Sequence, residues 1–493
     1  MIPKKRKVLI VGAGVGGLSA AARLAHQGFD VEVIEKAGGP GGRCGHLQID
    51  GFHFDTGPTL LLMPEVLEAT FAAVDRKMSD YLELVRCDPN YKMHFRDGSE
   101  MTFSTELAEM GRELDRIEPG SFGPFLKFLA LGEDQYRTSL DHFVGRNFDS
   151  PLQMFTPRNL GHVFRIKAHR TLYGAVSRSF KDERLRAALT FQTMYLGISP
   201  FRSPAVYGLL PYTELAVGIW FPMGGMAAIP RALEKLGRDL GVTFRYRTSV
   251  EQILVKGGQA TGVRLSDQTV VPADIVLCNA DLPWAYKHLV DAKDSELKRA
   301  DRLRYTCSAY MMYLGVKKRD PQLHHHNVFF GGDYEGSFKD IFEKRRVPED
   351  PSFYVNAPAH TDPSLAPLGK DSLYVLVPVP DMSAEIDWAK EGPLLRQKVF
   401  SRLAAEGWPD LASQIEVERT FTPKDWEFQL NLERGSAFGL SHNFFQVGPF
   451  RPKNQDANVG NLFFVGASTQ PGTGLPMVML SAKLVTERIV ASA

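Results

Sequence analysis

The stretch that most constrains this chain lies near its front, VLIVGAGVGGLSAAARLAHQGFDVEVIEKAGGPGGR from Val8 to Arg43. A β-branched run, Val8 to Val11, leads directly into Gly12-Ala13-Gly14-Val15-Gly16-Gly17. A small-residue helical pattern follows from Leu18 to Ala25, and a second apolar run covers Val31 to Ile34. Strand, glycine turn, helix and strand at this spacing predict a βαβ unit of the dinucleotide-binding kind. Gly12 permits the tight turn, Gly14 the approach of backbone to a pyrophosphate, and Gly17 close packing of helix on strand. Amides at the helix start then face the phosphates, where the helix dipole favours negative charge. Glu35 ends the second run, where a carboxylate accepts hydrogen bonds from both hydroxyls of a ribose; an acid there argues against a 2′-phosphate.

A second glycine cluster, Gly38-Gly39-Pro40-Gly41-Gly42-Arg43, brings a planar cation to the same pyrophosphate. This continuation resembles the flavin-containing amine oxidase superfamily, in which such a Gly-Gly-Arg follows the ribose-binding acid. The resemblance implies that the dinucleotide is FAD, held by Gly12, Gly14, Gly17, Glu35, Lys36, Gly42 and Arg43. It also implies that the bend Asp55-Thr56-Gly57-Pro58-Thr59 passes close to the flavin ring, so Gly57, Pro58 and Thr59 join the site. The residue matching Val250 touches the adenine through its backbone, and Asn279-Ala280-Asp281 follows a strand that returns to the sheet.

The closing stretch, NLFFVGASTQPGTGLPMVMLSAKLVTERIVASA, has a strand meeting Gly466, and then Gly472, Gly474 and Pro476 leading into a helix from about Met477. A helix N-terminus at the pyrimidine side of a flavin stabilises the charge of its reduced form. Gly466, Gly474, Pro476 and Met477 are therefore read as cofactor contacts. The loop holds no cysteine, so the FAD is expected to be non-covalent.

With 493 residues the chain has room for two or three domains, and its net charge of +1 gives no overall attraction to nucleic acid. Cys44, Cys87, Cys278 and Cys307 lie far apart without a CxxC, which excludes a thioredoxin-like pair and suits a reducing compartment. Lys4-Lys5-Arg6-Lys7 precedes the βαβ unit itself rather than a signal-peptide core, and no apolar run reaches the eighteen or so residues of a membrane span. A cytoplasmic, non-spanning protein is expected. His324-His325-His326 has no carboxylate or cysteine at ligand spacing, so no metal site is expected.

The middle of the chain is helical from Glu106 to about Ala188. Within it Arg158, Arg165, Lys167, Arg170, Arg178, Lys181, Arg184 and Arg186 face only Asp182 and Glu183 and alternate with apolar residues. Such a segment suits an anionic membrane surface or a solvated helix face over a core, and the pattern alone does not choose. From Leu189 to Gly225 the chain is apolar and aromatic, interrupted by Arg202 and Glu214. It suits a cavity lining or ordinary core.

Taken end to end, the chain resembles the phytoene desaturases of bacterial and fungal type. The carriers are VLIVGAGVGGL, EKAGGPGGR, FDTGPT, WFPMGGM, the segment from Ala357 to Pro367, the run to Pro380 and FVGASTQPGTGLPMVMLSAK. Relatives commonly have His where this chain has Gln470, which speaks against an acid or base role there. The resemblance implies an α/β fold with three parts. A discontinuous Rossmann-like FAD-binding domain of the GR2 type comprises 1–80, 222–290 and 455–493. A mixed-sheet substrate domain comprises 81–105 and 291–454, and a helical, membrane-facing cap covers 106–221.

The resemblance further implies FAD-dependent removal of hydrogen from phytoene to give lycopene or an intermediate, on a protein held peripherally at a membrane. A single dinucleotide fingerprint gives no sign of a bound NAD(P) site, so oxygen or a membrane quinone is the expected reoxidant. The residue that takes the proton is not legible. Related readings on the same scaffold are a thirty-carbon diapophytoene desaturase, a carotenoid isomerase or oxidase, and a hydroxysqualene dehydroxylase. A non-catalytic reading is a prenyl-lipid carrier similar to GDP-dissociation inhibitors.

Overall fold

The computed structural model describes residues 5–148, 150, 152–153 and 156–492; Lys4 of the basic run lies outside them. The front stretch folds as its periodicity predicts. Strand Lys7–Val11, helix Val15–His26 and strand Asp30–Ile34 follow one another, and the two strands pair in parallel. Three later strands complete a five-stranded parallel sheet: Thr243–Arg245 beside the second strand, Ile275–Cys278 beside the first, and Leu462–Phe464 at the far edge. The buried strands read as continuous apolar runs because both faces of a parallel sheet are covered. Segments more than four hundred residues apart in sequence thus share one sheet.

The final helix, Leu475–Ser492, packs on the first helix. Its N-terminus and the glycine turn after Val11 consequently lie side by side. A Cβ on Gly16 would stand 3.0 Å from Val478 and 3.4 Å from the Gly466 Cα.

A second, seven-stranded sheet is built around Ser308–Val316 and Asp371–Val379, which pair antiparallel over nine residues. Strand Tyr91–His94 enters it in parallel beside His326–Phe329, bringing Glu100–Phe103 with it. A hairpin, His46–Ile49 with Phe52–Asp55, turns at Asp50-Gly51 as its turn dipeptide predicts. Asp55 anchors this hairpin by accepting hydrogen bonds from Met226 N (2.8 Å) and Ala227 N (3.0 Å), and burial raises its carboxyl to about 6.

The segment from 106 to 217 is helical. Its basic residues do not face only Asp182 and Glu183. Arg165 forms a two-pronged pair with Asp134, Arg184 reaches Asp97 as well as Asp182, and Arg186 donates to the Phe180 carbonyl. Asp134 and Asp97 come from elements distant in sequence. Arg158 is exposed in the first turn of helix Pro157–Arg165, Arg170 is exposed just beyond its end, and Phe164 within it is 65% exposed. No helix among the described residues is long and apolar enough to cross a membrane.

One fully buried guanidinium ties the closing loop down. Arg451 donates to five carbonyls: Ala467 O (2.5 Å), Thr469 O (3.0 Å), Gln446 O (3.1 Å), Ser441 O and Leu440 O (both 3.3 Å). Burial lowers its pKa to about 10, well inside the charged range at neutral pH. Asn454 completes the clamp, donating to Phe464 O, Gln470 O, Thr469 Oγ1 and Ser481 Oγ. Removing such a donor leaves buried carbonyls without partners. Arg451→Met is expected to lower the unfolding free energy by at least about 3 kcal/mol, read from urea midpoints at constant m.

Candidate functional site

A single cavity of about 1130 Å³ runs from the parallel sheet into the helical segment and the second sheet. It exceeds the roughly 300–1,000 Å³ of most small-molecule sites. At one end it is walled by backbone. Gly12 holds φ +102° and donates its N–H to Ile34 O (2.8 Å), which turns the chain sharply off the first strand. Gly14 precedes the helix, and Gly41 N donates to Ala13 O (2.9 Å), so the two glycine clusters meet; a Cβ on Gly42 would lie 3.4 Å from the Gly14 Cα. A Cβ on Gly17 would stand 2.3 Å from the Gly12 carbonyl, which explains the helix packing expected of it.

Gly14 serves a second purpose beyond the approach of phosphate. Its missing Cβ would lie 2.7 Å from Asn279 Oδ1, and missing Cβ atoms of Gly16 and Gly466 would each lie 2.9 Å from Asn279 Nδ2. Asn279 follows the returning strand and donates to Val465 O (2.9 Å), wedging the glycine turn against the closing loop. Asp281, two residues on, accepts from the Ser468 hydroxyl. Neither residue was singled out from sequence as a site residue; two polar side chains, Asn279 and Asp281, at the end of a fully apolar strand were the available signal.

Of the residues singled out from sequence, Gly12, Gly14, Glu35, Lys36, Gly42, Arg43, Gly57, Pro58, Thr59, Val250, Gly466, Gly474, Pro476 and Met477 all line the cavity. Gly17 does not; it sits behind the wall, holding helix to strand. Glu35 is 8% exposed, and its carboxylate accepts Ala13 N (2.8 Å) and Ala37 N (2.7 Å). Its two oxygens retain lone pairs for further donors. Lys36 donates to Asn431 Oδ1 (2.9 Å), and burial lowers its pKa. Burial likewise lowers the Arg43 pKa, and the Asp281 charge opposes this. Among the described residues nothing forms a hydrogen bond or ion pair with the Arg43 guanidinium, which leaves a cation on the wall with its donors free.

The bend at Gly57 is fixed from the second sheet by hydroxyls. Tyr374 donates to Gly57 O (2.8 Å), Tyr313 to Thr56 O (3.2 Å) and Tyr354 to Thr59 Oγ1 (3.0 Å). A Cβ on Gly57 would fall 2.0 Å from the Arg43 carbonyl, so the bend also rests on the second glycine cluster. Cys44 lines the cavity too, but its thiol donates to Met226 O (3.3 Å), and burial and Asp55 hold its pKa well above the ordinary value.

Beyond the bend the wall becomes apolar. Phe191, Met194, Leu196, Val206, Leu209 and Leu210 come from the aromatic run, and Leu140, Phe143, Val163 and Ile166 from the helices before it. Phe201, Tyr212, Trp220 and Phe221 of the same run pack elsewhere. Gln470 is buried away from the cavity and donates to Gly448 O (3.1 Å), in keeping with no acid or base role. The histidine run behaves differently from its sequence reading. His326 opens a strand, and His325, His326 and Cys87 bring ligand atoms within 4.8 Å of one another. The cysteine absent at ligand spacing arrives from strand Leu84–Cys87. His326 Nδ1 and His325 Nδ1 are taken by the hydroxyls of Tyr354 and Thr361, both at 2.6 Å.

Residues 15–490 match the family model for flavin-containing amine oxidoreductases. The chain is 65% identical over 486 residues to a zeta-carotene-forming phytoene desaturase from Myxococcus xanthus, covering 98% of this chain and 94% of that one. It is 40% identical to a phytoene desaturase from Fusarium fujikuroi, covering 99% and 89%. The chain belongs to the flavin-containing amine oxidoreductases, among their carotenoid desaturases. The family's fold is also seen in an oxidoreductase from Methanosarcina mazei, with a TM-score of 0.65 at 19% identity over 98% of this chain and all of that one.

This carotenoid desaturase uses FAD, and its residues fit that cofactor: a glycine-walled cradle at a helix N-terminus, an unpaired guanidinium beside it and a carboxylate at the end of the second strand. Gly14→Val places a branched side chain against Asn279 and in the cradle. The purified variant is expected to be colourless, with FAD affinity at least about tenfold weaker by equilibrium dialysis, a loss of about 1.4 kcal/mol.

Proposed function

We propose that this desaturase converts phytoene to zeta-carotene. One observation carries the reading: the dinucleotide cradle and a long apolar lining belong to the same cavity, so a hydrocarbon lying along Phe191, Leu196 and Leu210 reaches the bend at Thr59. A polyene precursor offers no polar atom, and a wall of this kind holds it by excluding water. The Myxococcus relative, named for forming zeta-carotene from phytoene, supports both substrate and product.

In this reading the pyrophosphate rests on the amides from Gly12 to Gly16 and on Arg43, the ribose on Glu35, and the adenine beside Val250. Lys36 and Gly42 flank the cradle, Gly57, Pro58 and Thr59 would support the ring, and Gly466, Gly474, Pro476 and Met477 would hold its pyrimidine side. The bound flavin supplies a two-electron acceptor for an unactivated allylic C–H bond. The chain positions the carbon skeleton and keeps water out. Oxygen or a membrane quinone would serve as the electron acceptor. The cofactor part comprises 1–80, 222–290 and 455–493, the substrate part 81–105 and 291–454, and the cap 106–221.

The cap is proposed to rest on an anionic membrane. Helix Pro157–Arg165 turns Val163 to the cavity and exposes Phe164, with exposed Arg158 and Arg170 beside it. A substrate dissolved in lipid then enters without crossing water. Replacing Arg158, Lys167 and Arg170 by Gln is expected to weaken flotation with phosphatidylglycerol vesicles several-fold while leaving FAD content unchanged. Equal flotation would return the segment to an ordinary solvated face.

Anaerobic protein loaded with FAD on vesicles is expected to bleach in the flavin band when phytoene is added, with new absorption at longer wavelength from the product. A flavin band that stays constant while phytoene binds would exclude desaturation.

A further inference from the structure

Dehydrogenation releases one hydrogen with its electron pair and one as a proton, and the proton needs an acceptor. The sequence names none, but the structure restricts the choice. Among the described residues, the cavity's own carboxylates are occupied. Glu35 holds two backbone amides at the dinucleotide end, and Asp281 lies beside Ser468 and faces Arg43. His442 lines the cavity, but its Nε2 accepts Thr473 N (3.1 Å), so the neutral ring has no second lone pair to offer, and burial and Arg451 hold its pKa well below the usual value.

Glu214 stands apart. It is fully buried in the π-turn Thr213–Val217, and neither a cation nor another carboxylate pairs with it among the described residues. The Gln192 amide donates to its Oε2 (3.0 Å) and the Tyr195 hydroxyl to its Oε1 (2.5 Å), while Asn90 fixes its backbone carbonyl at 2.6 Å. Tyr195 in turn contacts the Tyr91 hydroxyl, and both tyrosines line the cavity. The Tyr91 ring lies 5.3 Å from that of His326, which bonds to Tyr354 and so reaches Thr59. Two hydrogen-bonded strings, Thr59–Tyr354–His326 and Tyr91–Tyr195–Glu214, thus meet at the contact of the His326 and Tyr91 rings, and the second ends on a carboxyl behind an apolar wall.

Burying a carboxyl without a cation is costly. A hydrocarbon has nothing to hydrogen-bond, so recognition does not account for it.

We infer that Glu214, acting through the Tyr195 hydroxyl, takes the proton that leaves the substrate. The inference rests on the desaturase reading above. As one substrate hydrogen departs with its electron pair to the flavin, the adjacent C–H electrons become the new π bond. Tyr195 accepts that proton and passes its own to the Glu214 carboxylate. Substrate is oxidised by two electrons, flavin is reduced by two, and one proton is stored on the enzyme.

Tyr195 and Tyr91 are the titratable groups facing Glu214; Gln192 and Asn90 carry no charge. Burial raises the Glu214 pKa to about 8, so the anionic form grows as pH rises through that value. Both tyrosines are held well above their ordinary range by burial and by the Glu214 charge, and stay neutral there.

The test compares wild type, E214Q, E214D and Y195F, each loaded with FAD and given phytoene on phosphatidylcholine–phosphatidylglycerol vesicles. Wild-type kcat is expected to rise with pH to a plateau above about 8. E214Q is expected to lose at least about 10²-fold in kcat and the pH dependence, with FAD content and KM for phytoene unchanged. E214D restores part of both, which separates the role from a folding defect. In flavin-free protein, infrared difference spectra between pH 7 and 9 are expected to show a protonated-carboxyl band that disappears, present in wild type and Y195F and absent in E214Q. Equal kcat and pH profile in E214Q, or a Glu214 carboxyl that stays protonated up to pH 9 in active enzyme, overturns the inference alone. A wild type that never reduces its flavin with phytoene overturns the desaturase reading and the inference together.

Discussion

Much of this architecture depends on the space one amide side chain occupies. Asn279 sits where Gly14, Gly16, Gly17 and Gly466 each lack a Cβ, with would-be contacts of 2.7, 2.9, 3.1 and 2.9 Å. Three of these glycines belong to the fingerprint at the front of the chain, and the fourth lies some 450 residues later. The fingerprint is therefore a socket as well as a phosphate cradle. It admits the polar end of the returning strand, and that strand pairs with the first strand on one side and the last on the other. A side chain at any of the four positions presses on Asn279, and through it on the strand Ile275–Cys278 that joins the sheet's first strand to its last.

The same logic of closure extends outward. Arg451 and Asn454 gather the carbonyls of the closing loop, while three tyrosine hydroxyls from the second sheet grip the bend at Gly57. Both devices satisfy buried backbone that the loops leave unpaired. They also fix the two walls between which the flavin ring is proposed to lie. Rigidity there is part of the chemistry, since hydride transfer needs the reacting atoms held at close range.

The front unit was legible because every determinant is local: glycine spacing, a β-branched run before it and an acid after it. The discontinuity of the sheet was legible only through resemblance, since nothing in Ile275–Cys278 names its neighbours. What stayed hidden depends on pairing across the chain. Cys87 meets His325 and His326 because Tyr91–His94 enters the second sheet beside His326–Phe329, a register no periodicity reports. Asp134 meets Arg165 for a similar reason. Glu214 was visible as an acid interrupting an apolar run, a signal in its own right, but its partners Gln192 and Tyr195 became meaningful only once a cavity was seen beside them. Gly14 was understood in part: the approach of phosphate was expected, the wedge was not.

The order in which these pieces are synthesised has a consequence of its own. The cradle's first wall emerges from the ribosome with the first fifty residues, whereas its last, Gly466 to Met477, emerges after more than four hundred others. Until then Ile275–Cys278 has an open edge, and Asn279 lacks the Val465 carbonyl it holds. A nascent chain consequently presents half a nucleotide site and an apolar trough without its lid of loop and helix. A complete cradle therefore forms only once the closing loop and helix have joined the front unit, and until then the apolar trough stays uncovered.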